Sequence, residues 1–248
     1  MNILVCVSRV PDTATKIMIA DDGKSINTQG VKYIINPYDE FALEEAIRLK
    51  EKNGGTVTAV TVGPEKSQDV LRTALAMGVD KAIIVKADEG FDSYFAAENL
   101  NAVVSEVNPD IIFLGRQSVD YDSWQMASML GEMAGMPSIS VVSKLDIEGN
   151  KVTAERDIEG GKEIVETTLP CLISTQKGLN EPRYPKLPDI MKAKSKPIDV
   201  KDPAGSGSRT TVLSMEIPSK QRSGKILGDS ESDINELVRL LHEESKVI

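Results

Sequence analysis

An open, mostly parallel, doubly wound α/β sheet with antiparallel edge strands and an extended C-terminal arm is the fold class this chain predicts. Four short β-branched runs, ILVCVSRV from residue 3, TVTAVTVG from 56, KAIIVKA from 81 and IIFLG from 111, alternate with helical patterns. The runs are apolar almost throughout, as strands are when both of their faces are covered. Helical connections between such strands make right-handed crossovers within one parallel sheet.

Residues 20 to 35, with Asp21-Asp22-Gly23 at the bend, read as a hairpin inserted before the first helix. In that helix Phe41, Leu43, Ala46, Ile47 and Leu49 recur at roughly i, i+3, i+4 spacing. Glu44, Glu45, Arg48 and Lys50 fall opposite, and Gly54-Gly55 ends it. Val70, Leu71, Ala74, Leu75 and Met77 form the apolar side of the second helix, and DSYFAAENLNAVVSEVNPD holds a third. After residue 122 another helix runs roughly to Gly135. Alternating apolar positions around the turns EGN and EGG then predict antiparallel strands at the sheet's edge. Beyond about residue 182 prolines and lysines accumulate, a Gly/Ser stretch AGSGS follows, and DINELVRLLHEE closes the chain as an amphipathic helix. Ile234, Leu237, Val238 and Leu241 make its single apolar stripe, which needs a surface to cover it. The expected division is an α/β domain over 1–193 and a C-terminal arm and helix over 194–248.

A chain of 248 residues has room for a core that needs no disulfide. Cys6 and Cys171 each sit in an apolar run, where a reduced, buried thiol is expected. The net charge of −9 argues against nucleic acid or an anionic membrane surface as the main partner. No apolar run is long enough to span a bilayer and no leader is expected, so the location read from the chain is the cytoplasm of a bacterium. The single histidine, His242, lies among charged residues, which removes the usual parts of zinc sites and histidine-based triads.

In open parallel sheets ligands sit outside the carboxyl ends of the strands, where strand order reverses. Cys6 to Arg9, Val62-Gly63-Pro64 and Gly115 to Gln125 are the segments that should converge there. Glycines permit close backbone approach, and Ser123 with Gln125 at a helix start can donate to an anion. A mononucleotide held mainly by main chain fits, since neither G-x-G-x-x-G nor the Walker lysine motif is present. Asp120 and Asp122 would repel a phosphate unless they face ribose hydroxyls, cap the helix or pair with Arg116. The same residues also read as a helix N-cap with no ligand. Asn36-Pro37-Tyr38-Asp39 likewise opens the first helix, with Asn36 placed to cap it.

With these residues in view, VKYIINPYDEFALEEAIRLKE, RTALAMGVDKAI, GRQSVDYDSWQ and above all LNEPRYPKLPDIMKAKSKPI together resemble the β subunit of electron transfer flavoprotein, essentially over the whole chain. The resemblance implies an electron carrier without catalytic residues of its own. Such a carrier pairs with a homologous α subunit that holds most of the FAD, and it buries a structural AMP. It would carry electrons from dehydrogenases, such as the acyl-CoA dehydrogenases of fatty acid oxidation, to an acceptor such as a quinone oxidoreductase. By match to the family pattern, the AMP contacts fall on Cys6, on Asn36, Pro37, Tyr38 and Asp39, and on Val62. They continue through Gly115, Arg116, Gln117, Ser118, Val119, Asp120, Tyr121, Asp122, Ser123, Trp124, Gln125 and Met126. Ser123 and Gln125 would meet the phosphate, and Asp120 would order the loop.

Residues 181 to 194 resemble the family's recognition loop for partner dehydrogenases. Leu187 matches its anchoring leucine. Glu181, Tyr184, Ile190 and Met191 surround it, within a basic rim of Arg183, Lys186, Lys192, Lys194 and Lys196. Without the resemblance this stretch reads as a basic linker. One branch of the family bifurcates electrons, holds a second FAD in place of AMP and carries a DGDTAQVGP-like loop. DYDSWQMAS here, together with LPDIMKAK, is closer to the AMP branch, with Tyr121 and Trp124 as departures. A glutamate near the flavin in mitochondrial relatives matches Asp157. The alternative of another class is a nucleotide-binding regulatory module acting alone.

Overall fold

The computed structural model describes residues 1–218 and 224–248. They fall into two compact units, Met1–Met215 and Glu216–Ile248.

The larger unit opens with β1 (Asn2–Cys6) and a two-stranded ribbon in which β2 (Arg9–Pro11) pairs antiparallel with β3 (Tyr33–Ile35). The excursion between them turns at Asp21-Asp22-Gly23, flanked by an isolated bridge from Ile19 to Ile26. Then come α1 (Pro37–Asn53), β4 (Thr56–Gly63), α2 (Gln68–Met77), β5 (Lys81–Lys86), α3 (Ser93–Val107) and β6 (Ile111–Gly115). Next are α4 (Met126–Ala134), the long strands β7 (Ser138–Glu148), β8 (Lys151–Ile158) and β9 (Gly161–Thr168), then β10 (Cys171–Thr175). The seven-residue α5 (Leu187–Ala193) and β11 (Asp199–Lys201) complete the unit.

Nine strands form one sheet in the order β11-β5-β4-β1-β6-β10-β7-β8-β9, parallel as far as β7, with β8 and β9 antiparallel beyond it. Alternation along β1 shows why both faces are covered. Ile3 and Val5 join a core with α1 and α2, whereas Leu4 and Cys6 join one with α3 and α4. From β1 the chain steps outward through β4 to β5, then returns past β1 to β6. The order reverses beside β1, and the crevice this opens lies at the ends of β1 and β6.

The expected parallel sheet and antiparallel edge are both present. Two details differ from the sequence reading. Glu44, placed on the solvent side of α1, is 2% exposed because arginines reach it there. β11, within the stretch read as arm, pairs parallel with β5 and supplies the sheet's other edge.

In the smaller unit α6 (Glu231–Arg239) is capped by Ser230, whose hydroxyl accepts from the Asp233 N–H, and it continues into a π-helical turn at Leu240–Glu244. Ile234, Leu237 and Val238 on its apolar side are exposed. Among the described residues no helix is long and apolar enough to cross a membrane.

Phe113, fully buried on β6, packs in the α1 and α2 core. Phe113→Ala is expected to lower the urea-unfolding free energy by about 3–5 kcal/mol.

Candidate functional site

Two strand ends and one helix start meet at the order reversal, and a carboxylate ties them. Asp39, in the first turn of α1, is 3% exposed. Its Oδ2 accepts from the Ser8 N–H just beyond β1 (2.7 Å). Its Oδ1 accepts from Asn36 Nδ2 (2.9 Å) and from the Gly115 N–H at the end of β6 (2.9 Å). Burial pushes the Asp39 carboxyl up to about 7, against the three donors that favour its charge. Gly115 admits this contact because it has no side chain. A Cβ there would lie 2.4 Å from Asp39 Oδ1 and 2.6 Å from Tyr38 Cβ.

Asn36 does not cap α1 with its side chain, contrary to the sequence expectation. Its amide instead reaches across to the loop after β6, donating to Gln117 O (2.8 Å) and accepting from the Val119 N–H (3.2 Å). Pro37 fills the first helical position, where no N–H is needed. Thr175, at the end of β10, donates its hydroxyl to Tyr38 O (3.0 Å) and Leu114 O (3.2 Å). Cys6 is buried beside this network, and burial, with the Asp39 charge adding to it, pushes its thiol up. A thiol held protonated is a packing group, not a nucleophile.

The loop from Gly115 to Met126 leads from the end of β6 into α4 at the order reversal. Arg116 lies 4.5 Å from the ring centre of Tyr38 and 4.4 Å from that of Trp124, and its Nη2 donates to the Tyr38 hydroxyl (2.8 Å). Asp120 accepts from the Tyr121 N–H (2.9 Å), and Asp122, with φ of 52°, accepts from Gln117 Nε2. Both aspartates are therefore engaged within their own loop. Ser118 O accepts from the Asp122 N–H (2.9 Å), and Ser123 Oγ lies 3.3 Å from Ser93 Oγ at the start of α3. Tyr121 and Trp124 are exposed, as is Gln125 at the N-cap of α4, which makes no side-chain cap bond. Val62 and Met126 are partly buried against the α3 and α4 core.

This donor set fits a nucleotide. Arg116 Nε and Gln117 Oε1 are buried without hydrogen-bond partners, a donor and an acceptor side by side in sequence. The first-turn amides of α4 have no side-chain cap, and such amides suit an anion.

Away from the crevice, Asp157 on β8 accepts from Ser143 Oγ (3.3 Å). Glu181, Tyr184, Leu187, Ile190, Met191, Lys192 and Lys194 are exposed around α5. Arg183 is bound instead to Glu44 and Glu51, and Lys196 Nζ donates to Val79 O (3.0 Å). Ser8 lies in the Cys6 to Arg9 segment picked from the sequence, whereas Ser93 and Thr175 were not picked. A lone hydroxyl 137 positions from its acceptor leaves no local pattern to find.

A model of the electron transfer flavoprotein domain matches residues 24–205. The chain is 44% identical to the electron transfer flavoprotein subunit beta of Bacillus subtilis (strain 168). It is 39% identical to that of Bradyrhizobium diazoefficiens and 40% to the mitochondrial subunit beta of Arabidopsis thaliana. Each match covers all of both chains.

Asp39→Asn keeps an oxygen for Asn36 and Gly115 but turns an amide N–H₂ toward the Ser8 N–H, or the reverse. At pH 5 the variant is expected to be about 1–3 kcal/mol less stable in urea. Because the folded Asp39 holds its proton to about pH 7 and the unfolded side chain releases it near 3.8, its contribution is full at low pH and is lost as pH rises through about 7. The gap between wild type and variant should therefore narrow from pH 5 to pH 8.

Proposed function

The chain belongs to the electron transfer flavoprotein family, among its β subunits, and from that premise we propose that it holds an AMP in the crevice at the ends of β1 and β6. A β subunit pairs with an α subunit, and the family binds flavin. In this reading FAD lies mostly on the α subunit. The heterodimer takes electrons from donor dehydrogenases, such as acyl-CoA dehydrogenases, and passes them to an acceptor such as a quinone oxidoreductase in a bacterial cytoplasm. The flavin supplies the redox chemistry when bound; the chain supplies position and electrostatics and has no acid–base residues of its own.

The single observation that carries the nucleotide reading is the pair of unpartnered buried atoms, Arg116 Nε and Gln117 Oε1, beside the uncapped start of α4. Cys6, Asn36 to Asp39 and Val62 would form the floor, and Gly115 to Met126 the wall. Asp39 holds floor and wall in register, and Tyr38 and Trp124 orient the guanidinium of Arg116. Residues 181–194 would dock the donor through Leu187, which is 73% exposed. Residues 194–248 would form the arm that packs on the α subunit. Residues 219–223 of that arm lie outside the described residues.

Co-expression with the matching α subunit, denaturation and mass spectrometry of the released nucleotides tests this directly. One FAD and one AMP per heterodimer is expected. Two FAD and no AMP would place the chain with the electron-bifurcating branch. Removing the chain from Glu231 onward is expected to weaken the heterodimer, read by sedimentation, while AMP stays bound. Lost AMP in an intact heterodimer would reverse that assignment.

A further inference from the structure

Between Asn180 and Lys196 the chain lies across α1 and α2, pinned at both ends and bare in the middle. At the start, Asn180 Nδ2 donates to Phe41 O (3.0 Å) and Glu45 Oε2 (2.9 Å). Arg183 then spreads one guanidinium over two carboxylates seven residues apart on α1. Nε and Nη2 reach Glu44 (2.8 and 3.1 Å), Nη1 and Nη2 reach Glu51 (2.6 and 3.0 Å), and its own N–H adds a bond to Glu44 (3.2 Å). Burial would raise the Glu44 carboxyl, but the bonds from Arg183 and Arg48 outweigh it and hold it below the usual range.

At the far end Arg72 of α2 donates through Nη1 to Ala193 O (2.8 Å) and to Lys196 O, placing a cation on the carboxyl end of α5. Ala193 itself is buried in the core. Between the pins Tyr184, Leu187 and Met191 are more than half exposed.

A helix of seven residues does not hold itself together in water. The arginines, together with Ala193 seated in the core, hold it with Leu187 and Met191 outward. Ordering that is complete before contact does not have to be paid for at contact. The chain as a whole is acidic, yet the exposed charges around α5 are Lys186, Lys192 and Lys194 against the single acid Asp189, the charge of Arg183 being taken up by Glu44 and Glu51. The surface that fits it is therefore an acidic one with an apolar socket.

We propose that Arg183 and Arg72 are positioning residues that preorganise Leu187, Ile190 and Met191 for a donor dehydrogenase with an acidic rim. The inference rests on the docking role proposed above for residues 181–194. Arg183 acts through α5 and need not touch the donor.

The test uses the heterodimer with its α subunit. Flavin reduction is followed with an acyl-CoA dehydrogenase charged by its thioester substrate, as heterodimer concentration is varied. Arg183→Gln is expected to raise KM about fivefold or more with kcat and flavin absorbance retained, and to speed amide exchange over residues 184–192. Arg183→Lys should restore KM only in part, because an ammonium lacks the fork that spans two carboxylates. Glu51→Gln, which leaves no buried charge unpaired, should raise KM less and guards against a variant that fails to fold. Leu187→Ala should raise KM without changing exchange. A raised KM in Leu187→Ala with none in Arg183→Gln would overturn the positioning role and leave docking in place. No rise in either would overturn docking itself.

Discussion

Asp39 places a carboxylate in the interior where three separate segments need an acceptor. The N–H of Ser8, the amide of Asn36 and the N–H of Gly115 all point at its two oxygens. Each of these donors sits where regular hydrogen bonding stops, past β1, before α1 and at the end of β6. Without an acceptor the buried Gly115 N–H in particular would be left unpaired in the interior. One side chain satisfies all three, and in doing so ties the start of α1 to the ends of the paired strands β1 and β6. Gly115 must be glycine for the approach to happen. The Asn36 side chain, freed from capping, extends the tie to Gln117 and Val119 and so to the loop.

The rest of the sheet is arranged around that point by a simpler force. Strands β1, β4, β5, β6 and β10 are apolar on both faces, and two helical layers remove both faces from water. The two later strands depart from this pattern. β9 is mostly exposed, and its cross-strand pairs Lys151–Glu166 (2.6 Å) and Arg156–Glu163 (3.6 Å) tie it to β8 with charge. Charged residues at the rim also discourage pairing with a further strand. The fold exposes apolar side chains together around α5, which is held by bonds at its ends, and along α6, whose charged residues pair with one another along the helix. On α6 Arg239 joins Glu236, Glu243 and Glu244.

Much of this was legible in the residues. Periodicity placed the strands and helices, and the position of the crevice followed from them, because apolar runs and 3.6-residue spacing are local properties of the chain. The resemblance then named the loop from Gly115 to Met126 and the leucine at 187. Glu44, by contrast, was set on the water side because its neighbours in the helix argue for it. Only the fold brings Arg183 to it across 139 positions. Asn36 read as a cap for the same reason, and the structure uses it otherwise because Gln117 lies within reach.

By itself, then, the sequence determined which segments form strands and helices, which of their faces are buried, and which family the chain resembles. Tertiary structure alone decided that Asp39 is spent on three donors, that Arg116 lies between Tyr38 and Trp124, and that α5 is pinned by Arg183 and Arg72. The physical reason is one of range. Burial preference is written residue by residue, whereas the partner of a polar group is whichever complementary atom the fold delivers within about 3 Å.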